Sequence, residues 1–244
     1  MRICIDMGHT PASPGASGFI DELQKNRILG PLIIDELRNR GHEVYNSTPE
    51  DNMTYPDEVD WRVRYDRING PFDLFFSIHF NAGGGTGTEA LYFNGDETGL
   101  ARAERISNNV ARCLGIRDRG AKPNDWVGVV ANTYSTAVLL EVCFVDSYDD
   151  CIAWYDTPND EIVAAICDGI EGKRWERTVA QEPEQNAEID DKKLPPKHGQ
   201  DKAAEADLEE LAAIFIDSVD KMLKAVDNSE LKQRMKEHLR EIIE

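Results

Sequence analysis

Phe72-Asp73-Leu74-Phe75-Phe76-Ser77-Ile78-His79, almost wholly apolar and preceded by the stop signal Gly70-Pro71, decides the fold. An apolar run of this length between turn residues reads as a strand buried on both faces, the kind that fills the centre of a parallel sheet. It ends in a histidine, with the Gly83-Gly84-Gly85 turn just beyond. Around it, residues 1–175 alternate apolar runs with amphipathic stretches, which predicts an α/β domain built on a single, mostly parallel six-stranded sheet flanked by helices.

The other elements follow from local pattern. Ile3 to Asp6 opens as a strand. Glu22 to Arg40 carries Ile28, Leu29, Leu32, Ile33 and Leu37 on one helical stripe, closed by Gly41; Pro31 inside it predicts a kink or a loosened turn. His42 to Asn46 is a short strand, and Asp57 to Asn69 a polar helix. Glu89 to Phe93 is a strand and Leu100 to Leu114 a helix. Val127–Val130 and Ala137–Cys143 complete the strands, and helices near Asp149–Tyr155 and Asp160–Gly172 close the domain.

Beyond it, residues 176–202 are polar and hold Pro183, Pro195 and Pro196, the composition of a linker. Residues 203–244 read as a helical hairpin. Leu208, Leu211, Phe215, Val219, Met222 and Val226 share one face, Asp227-Asn228-Ser229 breaks the helix, and Leu231, Met235, Leu239 and Ile242 continue it. So small a hairpin cannot bury both stripes alone, which predicts a homodimer through these helices, with docking on the main domain as the alternative.

Charge narrows the function. Lysine and arginine number 27 against 46 acidic residues, a net charge of −19, which argues against nucleic acid as a partner. The five cysteines form no CxxC pair and read as reduced core residues of a protein made in the cytoplasm. No basic segment followed by an apolar core opens the chain, which predicts synthesis without a signal peptide. No apolar run approaches the ~20 residues of a membrane span.

Two of the five histidines directly follow apolar runs: His9, after the first strand, and His79. Each on its own could be a turn histidine with a satisfied hydrogen bond. Ligands in open α/β sheets gather beyond the carboxyl ends of parallel strands, however, so adjacent strands would bring both imidazoles to one edge. Catalytic zinc takes three N/O protein ligands and leaves a place for water. Glu22, thirteen residues after His9, supplies a carboxylate, although Asp21 serves equally on spacing and either could simply be a first-turn acid. Glu141 interrupts the apolar run Ala137–Val145, where an ionised side chain needs an arginine or a task beside a metal. Glu89 is a weaker instance and a further candidate polar residue of the site. His42 reads as a solvated turn residue, and His198 and His238 fall in the linker and tail.

Gly8-His9, Glu22-Leu23-Gln24-Lys25-Asn26, Ser77-Ile78-His79-Phe80-Asn81-Ala82, Asp118-Arg119-Gly120-Ala121-Lys122 and Leu140-Glu141-Val142-Cys143-Phe144-Val145 resemble the motifs of zinc-dependent N-acetylmuramoyl-L-alanine amidases of the amidase-3 type. The resemblance covers residues 1 to 173 and selects Glu22 over Asp21. It implies zinc held by His9, Glu22 and His79, a catalytic Glu141, and cleavage of the amide between the muramic acid lactyl group and L-alanine in bacterial peptidoglycan. In layout the chain is similar to a phage endolysin, acting on the wall after release; the resemblance does not reach the tail, which matches no wall-binding repeat and reads as an oligomerisation or wall-targeting element. Thr10-Pro11 stands where the family often has Gly-Gly, and Cys143 where a glycine is common. Competing readings are another zinc peptidase or amidohydrolase on this scaffold, and a non-catalytic glycan-binding protein.

Overall fold

The computed structural model describes residues 1–51, Arg64, Arg67 and residues 70–177. These lie in the first of two units into which the chain divides, Met1–Ala180 and Gln181–Glu244. The expectations for most of Asp57–Asn69, for the linker beyond Arg177 and for the tail, with its homodimer, lie outside the described residues.

Six strands form one sheet: β1 (Arg2–Met7), β2 (Glu43–Asn46), β3 (Leu74–Asn81), β4 (Thr88–Tyr92), β5 (Asp118–Pro123) and β6 (Ala137–Phe144), in the order β2-β1-β3-β6-β4-β5. β2, β1, β3 and β6 run parallel; β4 is antiparallel to β6, and β5 is parallel to β4. The helices are α1 (Glu22–Asn39), α2 (Glu97–Leu114), α3 (Gly128–Ala131), α4 (Tyr148–Asp156) and α5 (Asn159–Glu171).

Alternation along the central strands divides the two faces. Ile3, Ile5 and Met7 of β1, Leu74, Phe76, Ile78 and Phe80 of β3, and Val138, Leu140 and Val142 of β6 join the main core with α1, α2 and α5. Cys4, Phe75, Ala137 and Leu139 face the other way, against Val129 and Val130 of α3. Farther along, that second set becomes polar, with Asp6 opposite Ser77 and His79 opposite Glu141. The period-2 geometry of the strands thus collects the polar exceptions of three apolar runs at one end of one sheet.

Three expectations are corrected. Val127–Val130 is the short helix α3, whose two buried valines cover the smaller core, and the sixth strand is Asp118–Pro123. That strand is an edge, so it carries charge and partly exposed positions instead of an apolar run. α1 runs unbroken through Pro31, which is exposed. All five cysteines are buried and free, as the composition implied.

His42 is not a solvated turn residue. Its Nε2 lies 2.9 Å from Glu171 Oε1, in a cluster where Arg40 also reaches Glu171 (3.0 Å), Asp168 (2.6 Å) and Glu36 (2.7 Å). This cluster pins the end of α1 to the end of α5. Burial alone would raise the Glu171 carboxyl, but hydrogen bonds from Lys173, His42 and Arg40 outweigh it and hold it at about 2. A carboxylate lowered on folding stabilises above its unfolded pKa of ~4.3, and that contribution is lost as pH falls toward the folded value. Glu171→Gln is expected to lower stability by about 2–3 kcal/mol at neutral pH and to flatten the acid limb between pH ~4.3 and ~2. Urea unfolding across that window checks it; parallel wild-type and variant curves would count against the cluster.

Candidate metal centre

β1 has neighbours on either side that the chain reaches in opposite directions, β2 first and β3 afterwards. The crevice beyond the carboxyl ends of β1 and β3 is therefore the switch point at which such sheets bind ligands. His9 stands two residues past β1, His79 lies among the last three residues of β3, and Glu22 is the first residue of α1.

These three meet. Glu22 Oε1 lies 3.0 Å from His9 Nε2, 3.0 Å from His79 Nδ1 and 3.0 Å from the Phe80 N–H, while Oε2 accepts from the Ala16 N–H at 2.8 Å. One donor atom from each of the three residues falls within 4.8 Å of the others. The imidazoles cross edge to face, with centroids 4.8 Å apart. Burial would raise the Glu22 carboxyl, yet the hydrogen bonds and charges of His79 and His9 hold it far below the carboxylate range. Two ring nitrogens and an anionic oxygen, facing one point, are the donor set that suits zinc. Asp21, the alternative on spacing, is instead the N-cap of α1, accepting from the Gln24 N–H at 2.9 Å.

Room for the cluster comes from glycine. A Cβ on Gly8 would overlap the His79 ring, and one on Gly15, at φ 77°, would stand 2.6 Å from His9 Cδ2. Gly8→Ala is expected to push the His79 ring aside and weaken zinc binding about tenfold or more, with far-UV circular dichroism unchanged. Chelator competition checks this, and unaltered affinity would mean that the ring has space the geometry denies.

Glu141 lies directly beside His79 on β3 and beside Glu89 on β4. Lateral neighbours in a sheet have Cβ atoms about 5 Å apart, so this carboxyl borders the ligand cluster. Its Oε2 is buried and makes no hydrogen bond among the described residues. Burial, then the charges of Glu22 and Glu89, push the group up to about 8. Glu89 differs: Asn81 Nδ2 donates to it at 2.8 Å and Arg119 Nε at 2.7 Å. Of the two anomalous strand carboxylates, Glu89 is paired with Arg119, and Glu141 has an Oε2 with no hydrogen-bond partner among the described residues.

Sequence reasoning missed what holds His9 in place. Asp6, 1% exposed, pairs with Arg64 and accepts from Ser77 Oγ at 3.0 Å, and Arg27 joins Arg64 beneath the His9 loop. Asp6, like Glu141, is a charge inside an apolar run. The arginines donate to backbone carbonyls, and residue pattern carries no signal of that.

The switch point of this α/β sheet gathers two imidazoles and a carboxylate, N/O donors of the kind that can hold a metal ion, with the Glu141 carboxyl alongside. Residues 3–172 match the family model Amidase_3, N-acetylmuramoyl-L-alanine amidase, and the chain belongs to that family. It is 31% identical to the N-acetylmuramoyl-L-alanine amidase CwlM of Bacillus licheniformis over 62% of this chain and 59% of that one. It is 29% identical to an uncharacterized protein of Clostridium perfringens, over 77% of this chain and 56% of that one. The chain thus spans little more than half the length of these curated relatives. Among solved structures it is similar to the catalytic domain of the CD27L endolysin targeting Clostridia Difficile. The TM-score is 0.65 and the identity 30%, covering 72% of this chain and 99% of that domain.

Proposed function

We propose that this chain hydrolyses the amide between N-acetylmuramic acid and L-alanine in bacterial peptidoglycan, as an endolysin-like wall hydrolase, with the chemistry confined to residues 1–175. The observation that carries the reading is the meeting of His9, Glu22 and His79 beside Glu141, whose buried Oε2 has no partner among the described residues. Family membership and the likeness to an endolysin catalytic domain support the substrate class. His9, Glu22 and His79 would hold zinc, which when bound polarises a carbonyl and lowers the pKa of water.

Glu141 is the general base and acid. It accepts a proton from the attacking water and returns it to the departing alanine nitrogen. Its apolar strand setting favours the protonated form, so the carboxyl can both take and release a proton near neutral pH. Glu89 is held beside it by Asn81 and Arg119. Among the described residues, no helix is long and apolar enough to cross a membrane.

Digestion of purified peptidoglycan with end-group analysis tests the proposal. New N-terminal L-alanine, lost on chelation and restored by zinc, is expected. Free peptide fragments with an intact lactyl–alanine bond would favour another zinc peptidase, and binding without cleavage a glycan-binding protein.

A further inference from the structure

We propose that Arg27 and Arg64 are positioning residues of the metal centre, gripping the backbone of His9 so that its ring is held toward Glu22 and His79; this rests on His9 being a metal ligand. Both guanidiniums donate to one oxygen. The His9 carbonyl lies 2.7 Å from Arg27 Nη2 and 2.6 Å from Arg64 Nη2. The same groups take up the two preceding carbonyls. Arg27 Nη1 reaches Gly8 O at 3.1 Å and Met7 O at 3.3 Å, and Arg64 Nη1 reaches Met7 O at 2.9 Å. Three successive carbonyls at the end of β1 are thus held by two planar forks, which a lysine's point charge could not reproduce.

The gripped residue is the strained one. His9, at φ 66°, is the only non-glycine residue with a positive φ among those described. For a side chain with a Cβ that conformation is costly and persists only where the surroundings enforce it. Two charge-assisted hydrogen bonds on its own carbonyl do so. The ring has a second handle: His9 Nδ1 lies 3.2 Å from Ser13 O, which leaves Nε2 directed at Glu22. Without the grip, the backbone is free to relax to negative φ and swing Nε2 off the ligand cluster.

Two cations beside a cation site would oppose metal binding, and each is neutralised in place. Arg64 pairs with the buried Asp6, and Arg27 Nε lies 3.0 Å from both oxygens of Asp51. Arg27 also ties the grip to a ligand, since it sits on α1 five residues after Glu22.

The test is the zinc dissociation constant of the full chain, measured by chelator competition, together with the visible spectrum of the cobalt-loaded protein. Arg27→Met is expected to weaken zinc binding about 10- to 100-fold and to alter the cobalt bands, and Arg27→Lys to recover part of the loss. A dissociation constant within about twofold of wild type, with an unchanged cobalt spectrum, would overturn the grip. Should Arg27→Met unfold without metal, Asp51→Asn loosens the same guanidinium while keeping it. Several-fold weaker zinc then supports the proposal, and unchanged affinity overturns it. A wild-type chain that binds no zinc would instead remove the reading of His9 as a ligand, and the proposal with it.

Discussion

Glu141→Gln is expected to retain zinc and lose about 10²- to 10⁴-fold in kcat, the usual cost of removing a general acid/base. The substitution keeps shape and volume and deletes only the capacity to exchange a proton. The same change is expected to stabilise the metal-free protein, because wild-type Glu141 is buried with an unpartnered oxygen and its carboxyl is raised to about 8. The sign follows from the raised value. Stability is full below the unfolded pKa of ~4.3, declines as pH rises, and by the folded value has lost what ionising a buried carboxyl costs. Metal-free Glu141→Gln should escape that decline, gaining a few kcal/mol above pH ~8. Metal analysis, turnover and unfolding curves at pH 5 and 9 form the check. Equal loss of zinc and of activity would make Glu141 a ligand, and the proton relay would fall.

His79→Ala is expected to bring zinc in the dialysed protein to background and to abolish hydrolysis while leaving the fold intact. The Glu22 carboxylate keeps its bonds to the Ala16 and Phe80 N–H groups, so it stays in place when the ring is gone. What vanishes is one of three donors, and two donors do not make a zinc site of the three-ligand kind. Circular dichroism guards against misfolding. Stoichiometric zinc in this variant would show the ligand set to be wrongly drawn.

The central strands were legible because burial on both faces writes an apolar run into the chain, and β1, β3 and β6 lie where those runs are. The histidines were legible for the same reason, each being the first hydrophilic residue of its kind at the end of such a run. β5 was not legible, since an edge strand such as Asp118–Pro123 buries little and so leaves no pattern, whereas Val127–Val130 imitates one while forming a single helical turn. The pairing of Glu89 with Arg119 was equally hidden: β4 and β5 are neighbours only through the strand order, and nothing local to either residue announces it.

The register of β3 against β6 also has a kinetic side. His79 and Glu141 are lateral neighbours although 62 residues separate them, and the intervening chain must first return through β4, α2 and β5. Closing that loop costs about 1 kcal/mol more entropy than closing the 13 residues between His9 and Glu22. His9 and Glu22 are therefore expected to meet early in refolding, and Glu141 to dock beside them only when β6 inserts between β3 and β4. Metal supplied to the refolding chain would meet two of the three proposed ligands until β3 brings His79, so its effect is expected in the final phases of assembly and not in the collapse that precedes them.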